Sequence, residues 1–136
     1  MGARGLMRGL FTLALVGCGP LDPELGAERD AEVNPPASFA LVRDQVFRPR
    51  CSCHVVADGI GRTRGGLDLD DYDAVRAGGR NSAGTAVVPG SPESSVIIQK
   101  IGDAPPFGAR MPRGAFRLDD RSRQILTDWI AAGAPQ

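Results

Sequence analysis

Two thiols and an imidazole stand within four positions of this chain, Cys51-Ser52-Cys53-His54. His54 is the only histidine, and Cys51 and Cys53 are two of three cysteines. Two cysteines followed directly by a histidine favour covalent haem attachment, in which the thiols bond the porphyrin edge and the imidazole ligates the iron. The segment therefore predicts haem chemistry, although the usual C-x-x-C-H spacing is one residue longer.

The shorter spacing has a geometric consequence. In an α-helix, two residues that are two positions apart differ in direction by about 200°, so their sulfurs would face opposite sides. The sequence therefore predicts a non-helical turn at Cys51-Ser52-Cys53, or a single thioether. Cys53 keeps the usual position next to His54, which makes it the safer attachment point, and Cys51 is the second predicted point.

Met111 is the candidate for the opposite axial position. It lies between Arg110 and Pro112, in a stretch rich in Pro and Gly, and it is the only methionine beyond residue 7. A thioether is a soft ligand that favours the ferrous state, so His54 and Met111 are predicted to be the two axial iron ligands.

The same donors leave two other interpretations open. Cys51, Cys53, His54 and Met111 are also a soft ligand set for copper, which would make the protein a copper-binding module. Alternatively, Cys51 and Cys53 could form a disulfide in an oxidising compartment, which would leave a purely structural lipoprotein. Zinc is disfavoured, because a structural zinc site uses four Cys or His ligands and only three are present.

The first residues are typical of an export signal. Arg4 and Arg8 precede a short apolar run over residues 10–16, and Leu15-Val16-Gly17-Cys18 resembles the lipobox of bacterial lipoproteins. We expect a signal peptide over residues 1–17, lipidation of Cys18, and a disordered tether over residues 18–36. The mature protein would then be exported and anchored to the membrane, facing the periplasm or the cell exterior. A plain signal peptide is the alternative.

Composition restricts the remaining domain, residues 37–136. Aromatic residues make up 5% of the chain, whereas Gly numbers 18 and Pro 11, so side chains alone would build a thin core and a bound cofactor would add apolar bulk. The formal net charge is zero, and the arginines are scattered, which predicts no nucleic-acid surface.

Hydrophobic spacing predicts an all-α domain of about four short helices joined by long Gly/Pro-rich loops. The first helix is expected over about residues 38–48, ended by Pro49. A second begins at the cap Asp70 and stops at Gly78, and a glycine-rich loop precedes it over residues 59–66. A third begins at Ser91 and stops at Gly102. The last begins at residue 119 or 120 and stops before Gly133.

From about residue 46 to residue 134, the chain resembles the small c-type cytochrome domain of exported bacterial proteins. The blocks that carry the resemblance follow the cysteine segment in the family's order: Gly65 to Leu69, Val87 to Ser95, Arg110 to Pro112, and Trp129 to Ala134. The resemblance implies one covalent haem c and a crevice closed by the N- and C-terminal helices. It also implies electron transfer rather than catalysis on a substrate, with unidentified redox proteins or a larger oxidoreductase as partners.

Overall fold

The computed structural model describes residues 36–136, and the predicted signal, lipidation site and tether lie outside them. Helices and loops account for this part of the chain, which contains no strand, so the all-α prediction is confirmed. The α-helices are α1 (Phe39–Val42), α2 (Arg48–Arg50), α3 (Ile60–Thr63), α4 (Tyr72–Ala77), α5 (Val96–Ile101) and α6 (Asp120–Ala131). None of the helices within residues 36–136 is long and apolar enough to cross a bilayer.

The first predicted helix extends further than expected. A π-helical turn, Arg43–Phe47, joins α1 to α2, and the three segments form one continuous N-terminal helix. Pro49 does not end it, contrary to the prediction. The amide of Arg48 bonds to the carbonyl of Arg43, five residues back, and Pro49 falls in the first turn of α2, where a missing N–H is tolerated. The helix ends instead at Arg50.

Two further boundaries differ from the sequence prediction near the cysteine turn. The glycine-rich stretch predicted as a loop contains α3. The cap of α4 is Asp71, not Asp70, because the Asp71 carboxylate accepts from the amide of Ala74 at 2.8 Å. The Asp70 carboxylate is engaged elsewhere, with Arg48 at 2.7 Å. The predicted stop is confirmed, since α4 ends at Gly78 with φ of +79°.

The third predicted helix is broken in two. A 3-10 turn, Pro92–Ser94, comes first, and α5 begins only after Ser95, whose backbone is extended. The Ser91 hydroxyl caps nothing, contrary to the prediction. The buried Ser95 hydroxyl interrupts the helix because it donates to the Ser91 carbonyl at 2.9 Å and accepts from the Val88 amide at 2.8 Å. The predicted stop at Gly102 is confirmed.

The last helix, α6, matches its prediction, with the Asp119 carboxylate capping the Ser122 amide at 2.8 Å. It packs on the N-terminal helix, where the rings of Phe39 and Trp129 lie 6.0 Å apart. The expected packing of the two terminal helices is therefore present. The fully buried large side chains that form this core are Trp129, Phe47, Leu126, Ile130, Val42, Val46, Val75 and Val87.

Candidate functional site

A cavity opens between the cysteine turn, α5 and the loop of residues 102–119, which we call the Met111 loop. The cavity has a volume of about 140 Å³, and the empty space around it, including solvent at its open mouth, is about 830 Å³. Its wall is mainly apolar and includes Phe47, Leu67, Leu69, Ile97, Ile101, Leu118 and Leu126. The wall also contains three of the four predicted haem residues, namely Cys51, His54 and Met111.

The imidazole of His54 is held in one tautomer. Its Nδ1 lies 3.1 Å from the carbonyl oxygen of Leu67. Because a carbonyl can only accept, Nδ1 carries the proton and donates it, and Nε2 keeps its lone pair. A second bond, from the Leu69 amide to the His54 carbonyl at 2.9 Å, fixes the backbone of the same residue. The segment Gly65 to Leu69 thus orients the histidine for metal binding.

Gly61 packs directly against the imidazole ring. A Cβ placed on Gly61 would lie 2.5 Å from both Nδ1 and Cε1 of His54, far inside van der Waals contact. The sequence predicts only a loop at this glycine. The sequence spacing between Gly61 and His54 does not predict their contact, because the contact depends on α3, a helix that the sequence did not predict.

Burial changes the pKa of the two titratable residues that line the cavity, His54 and Cys51. Desolvation lowers the pKa of His54, and the hydrogen bond to Leu67 opposes this effect. Desolvation, followed by the proximity of Cys53, raises the pKa of Cys51 to about 11. At neutral pH the imidazole is therefore neutral, as a metal ligand must be, and Cys51 is a protonated thiol.

The two cysteines differ in environment. Cys51 is half-buried and lines the cavity, whereas Cys53 is exposed and is not part of its wall. The difference arises from the backbone, since Cys51 leaves the helix at φ −125° and ψ 33° and a 3-10 turn, Ser52–His54, follows. The sequence predicted a non-helical turn here, or a single thioether. Residues 52–54 instead form a 3-10 turn, so the backbone departs from an α-helix without being non-helical.

The other interpretations of these donors gain no support from the coordinates. Both Cys51 and Cys53 are free thiols in the structure, so no disulfide joins them. Within residues 36–136, no three His, Cys, Asp or Glu side chains come close enough together to hold a metal ion. A copper site built on Cys51, Cys53 and His54 would therefore require the turn to rearrange.

Met111 also lines the cavity. Its side chain is half-buried, and its amide donates to the carbonyl of Lys100 at 2.7 Å. The Lys100 ammonium donates to the carbonyls of Phe107 and Ala109, each at 2.5 Å. Lys100 was also missed in the sequence, although it is the only lysine among 16 basic residues.

One family of known proteins matches the part of the chain that contains the cysteine turn and Met111. Residues 51–113 match the family model described as Planctomycete cytochrome C. The chain contains a small domain similar to c-type cytochromes. The match covers a little under half of the 136 residues and includes Cys51, Cys53, His54 and Met111. No curated protein and no solved structure matches the chain significantly. The cytochrome-like segment thus spans the cysteine turn, the Gly65-Leu69 segment and most of the Met111 loop.

Proposed function

We propose that this protein is an electron carrier that holds one covalent haem c with His54 and Met111 as axial ligands. The observation that supports this most directly is the hydrogen bond from His54 Nδ1 to Leu67, because it leaves Nε2 as the only ring nitrogen able to bind iron. A haem iron supplies reversible one-electron chemistry. Nothing in this role requires a reacting substrate, so the protein is proposed as a carrier and not as an enzyme.

The residues of the cavity fit such a group. The apolar wall suits a porphyrin face, and the open mouth would leave one edge accessible to a redox partner. A neutral imidazole and a thioether both line the cavity, and together they are the soft, mixed N/S donor set expected for an electron-transfer haem. Two exposed apolar residues, Val56 and Ile60, follow the cysteine turn in the sequence. Their accessible fractions are 48% and 49%.

For the covalent bond we propose Cys51 as the principal attachment point. The sequence favoured Cys53 because it adjoins His54, but Cys51 is the cysteine that lines the cavity. Attachment would add the Cys51 thiol across a haem vinyl group. One carbon–sulfur bond would form, the vinyl double bond would become single, and the thiol proton would pass to the other vinyl carbon, so no oxidant would be consumed. Cys53, exposed to solvent, would bond only if the turn moved.

The proposal is tested by expressing the protein with a haem-maturation system and recording its pyridine haemochrome spectrum. We expect haem that resists extraction by acid acetone, with a band position that corresponds to one saturated vinyl group. Cys51→Ala should lose covalent haem, whereas Cys53→Ala, the matched control, should retain it. A colourless wild-type protein would refute the cytochrome function. Covalent haem that survives in Cys51→Ala and is lost in Cys53→Ala would refute only the assignment of Cys51.

We further propose that the protein is exported and anchored to a membrane through lipid on Cys18. Support comes from the sequence alone, in the charged start, the short apolar run and the residues before Cys18. Two or more acyl chains would hold the domain at the membrane surface, because each buried methylene contributes about 0.8 kcal/mol. Its redox partners would then be proteins of the same compartment.

A further inference from the structure

Lys100 is unusual among the charged residues of the domain because it is buried. Only 9% of its surface is accessible, although it lies in the last turn of a short helix, α5, that borders an open cavity. It lines that cavity together with Met111. A buried ammonium normally requires a compensating charge or several hydrogen-bond acceptors. Among the ion pairs of residues 36–136, none includes Lys100.

Acceptors from the Met111 loop take the place of a carboxylate. The Lys100 ammonium donates to the carbonyls of Phe107 and Ala109, and it lies 4.6 Å from the centroid of the Phe107 ring, within cation–π range. The Lys100 carbonyl in turn accepts from the Met111 amide. One residue therefore holds the loop at three points, the last of which is Met111 itself.

Elsewhere the loop is held by exposed side chains and by one buried residue, Leu118. The Arg110 guanidinium donates to the carbonyls of Phe116 and Gly114, and Arg117 pairs with Asp103. The loop contains three glycines and three prolines within residues 102–114, and most of its side chains are exposed. The compact ammonium suits this site better than a guanidinium, because it can direct three donors from one atom into a narrow space, whereas the Arg fork is planar and wider. Lys100 is the only lysine in a chain whose other basic residues are all arginine.

We propose that Lys100 is a positioning residue for the axial ligand, which clamps the Met111 loop so that the Met111 thioether faces the cavity. The inference rests on the proposed haem function. It also predicts an electrostatic effect, because a buried positive charge beside the cavity disfavours the ferric state and raises the reduction potential.

The test compares full-length Lys100→Met, which keeps the length of the side chain but removes the donors, with Val75→Ala. Val75 is fully buried but is not part of the cavity wall, so Val75→Ala controls for a loss of stability. In Lys100→Met we expect the sulfur-to-iron charge-transfer band of the ferric protein to weaken or vanish and the reduction potential to fall, while covalent haem is retained. Val75→Ala should keep both properties. An unchanged band and potential in Lys100→Met would overturn the proposal.

A second readout does not depend on haem. Trypsin cleaves after Arg110 and Arg113, on either side of Met111, and Lys100→Met should speed cleavage there at least tenfold relative to Val75→Ala.

Because Lys100 is the only lysine, its acylation by an amine-reactive ester in the wild-type protein reports on the clamp without any variant. We expect acylation at least tenfold slower in the native than in the unfolded chain, and equal rates would contradict the clamp. A wild-type protein that lacks haem but shows slow acylation and protected cleavage sites would refute the cytochrome function and leave the clamp intact.

Discussion

At His54, one hydrogen bond decides which ring nitrogen is available, and a single glycine leaves space for the ring. Gly61→Ala should push the imidazole away from the Leu67 carbonyl, because the new methyl group would lie 2.5 Å from ring atoms. We expect the free energy of unfolding to fall by about 1–3 kcal/mol, as is usual for overpacking, and haem content to fall with it. Urea denaturation and the haemochrome spectrum measure the two effects. Gly102→Ala, where the nearest atom is 3.3 Å away and φ is −80°, is the control and should retain haem.

Met111 is the residue whose replacement should alter the iron site most selectively. Met111→Ala removes the thioether, so we expect the sixth position to open, carbon monoxide to bind readily and the reduction potential to fall. Absorption spectra with and without carbon monoxide, together with a redox titration, measure these effects. Phe116→Ala, in the same loop but 80% exposed and outside the cavity wall, should behave as wild type. Normal charge-transfer absorption in Met111→Ala would mean that another side chain is the distal ligand.

The sequence indicates which residues are the candidate donors, but not how their side chains are oriented. The chain contains one histidine and only one methionine beyond the predicted signal peptide. His54 and Met111 were therefore the natural choices for the axial ligands. Whether a thiol faces a cavity depends on backbone angles at Cys51 and on walls contributed by distant segments. Adjacency in sequence therefore favoured Cys53, while the three-dimensional arrangement favours Cys51. Lys100 escaped notice because its partners are backbone carbonyls, which no sequence pattern marks.

At the scale of the elements, the predicted helices were found where an apolar stripe and a cap agreed, as in α6. One predicted helix cap was wrong because two neighbouring aspartates can both cap the same helix. Asp70 and Asp71 can both cap α4, and the choice is made by Arg48, which is brought to Asp70 by the tertiary fold. Pro49 was assigned as a helix end because its missing amide is normally disruptive. The π-helical turn that accommodates it is not visible in residue spacing.

Ser95 is the element-scale feature with the clearest test. Its hydroxyl joins the segment before Pro89 to the start of the 3-10 turn that precedes α5, through bonds to Val88 and Ser91. Ser95→Ala should lower the free energy of unfolding by about 1–3 kcal/mol, because it leaves the Val88 amide without its partner, whereas the Ser91 carbonyl still accepts from the Ser94 amide at 3.2 Å. Chemical denaturation measures this loss. Ser94→Ala, at an exposed neighbouring position, should change stability by less than about 0.5 kcal/mol. Equal losses in the two variants would contradict the role of the Ser95 hydroxyl.

For the whole molecule, residues 134 and 135 connect segments that are far apart in sequence. The Pro135 carbonyl accepts from the Phe39 amide at 3.0 Å and from Trp129 Nε1 at 2.7 Å, and the Ala134 carbonyl accepts from the Tyr72 hydroxyl at 2.9 Å. Truncation after Gly133 removes the acceptors of all three donors.

We expect that truncation to lower the free energy of unfolding by about 3 kcal/mol or more, at about 1–3 kcal/mol for each donor that loses its partner. Thermal or urea denaturation measures the loss. Removal of Gln136 alone is the control, because the three hydrogen bonds remain. If both truncations have the same small effect, the contacts of residues 134 and 135 do not contribute to stability.

The proposed lipid anchor also concerns the molecule as a whole. If Cys18 is acylated, the wild-type protein should sediment with membranes and enter the detergent phase on extraction. Cys18→Ser should either block processing or release a soluble form, because no acyl chain can be attached to the hydroxyl by the same pathway. Fractionation and mass spectrometry of the mature N-terminus measure the outcome. Recovery of unmodified wild-type protein from the soluble fraction would rule out the anchor.

The contacts made by Pro135 also set an order for assembly during biosynthesis. Synthesis runs from the N-terminus at about 5–20 residues per second, so residue 135 is added roughly 4 to 17 s after residue 51. During this interval Phe39 and Trp129 lack their common acceptor, and the two terminal helices cannot yet be joined there. The cysteine turn is therefore synthesised before the contacts that tie those helices together. Under the proposed function, its thiols would be accessible to a haem-maturation system before those contacts form.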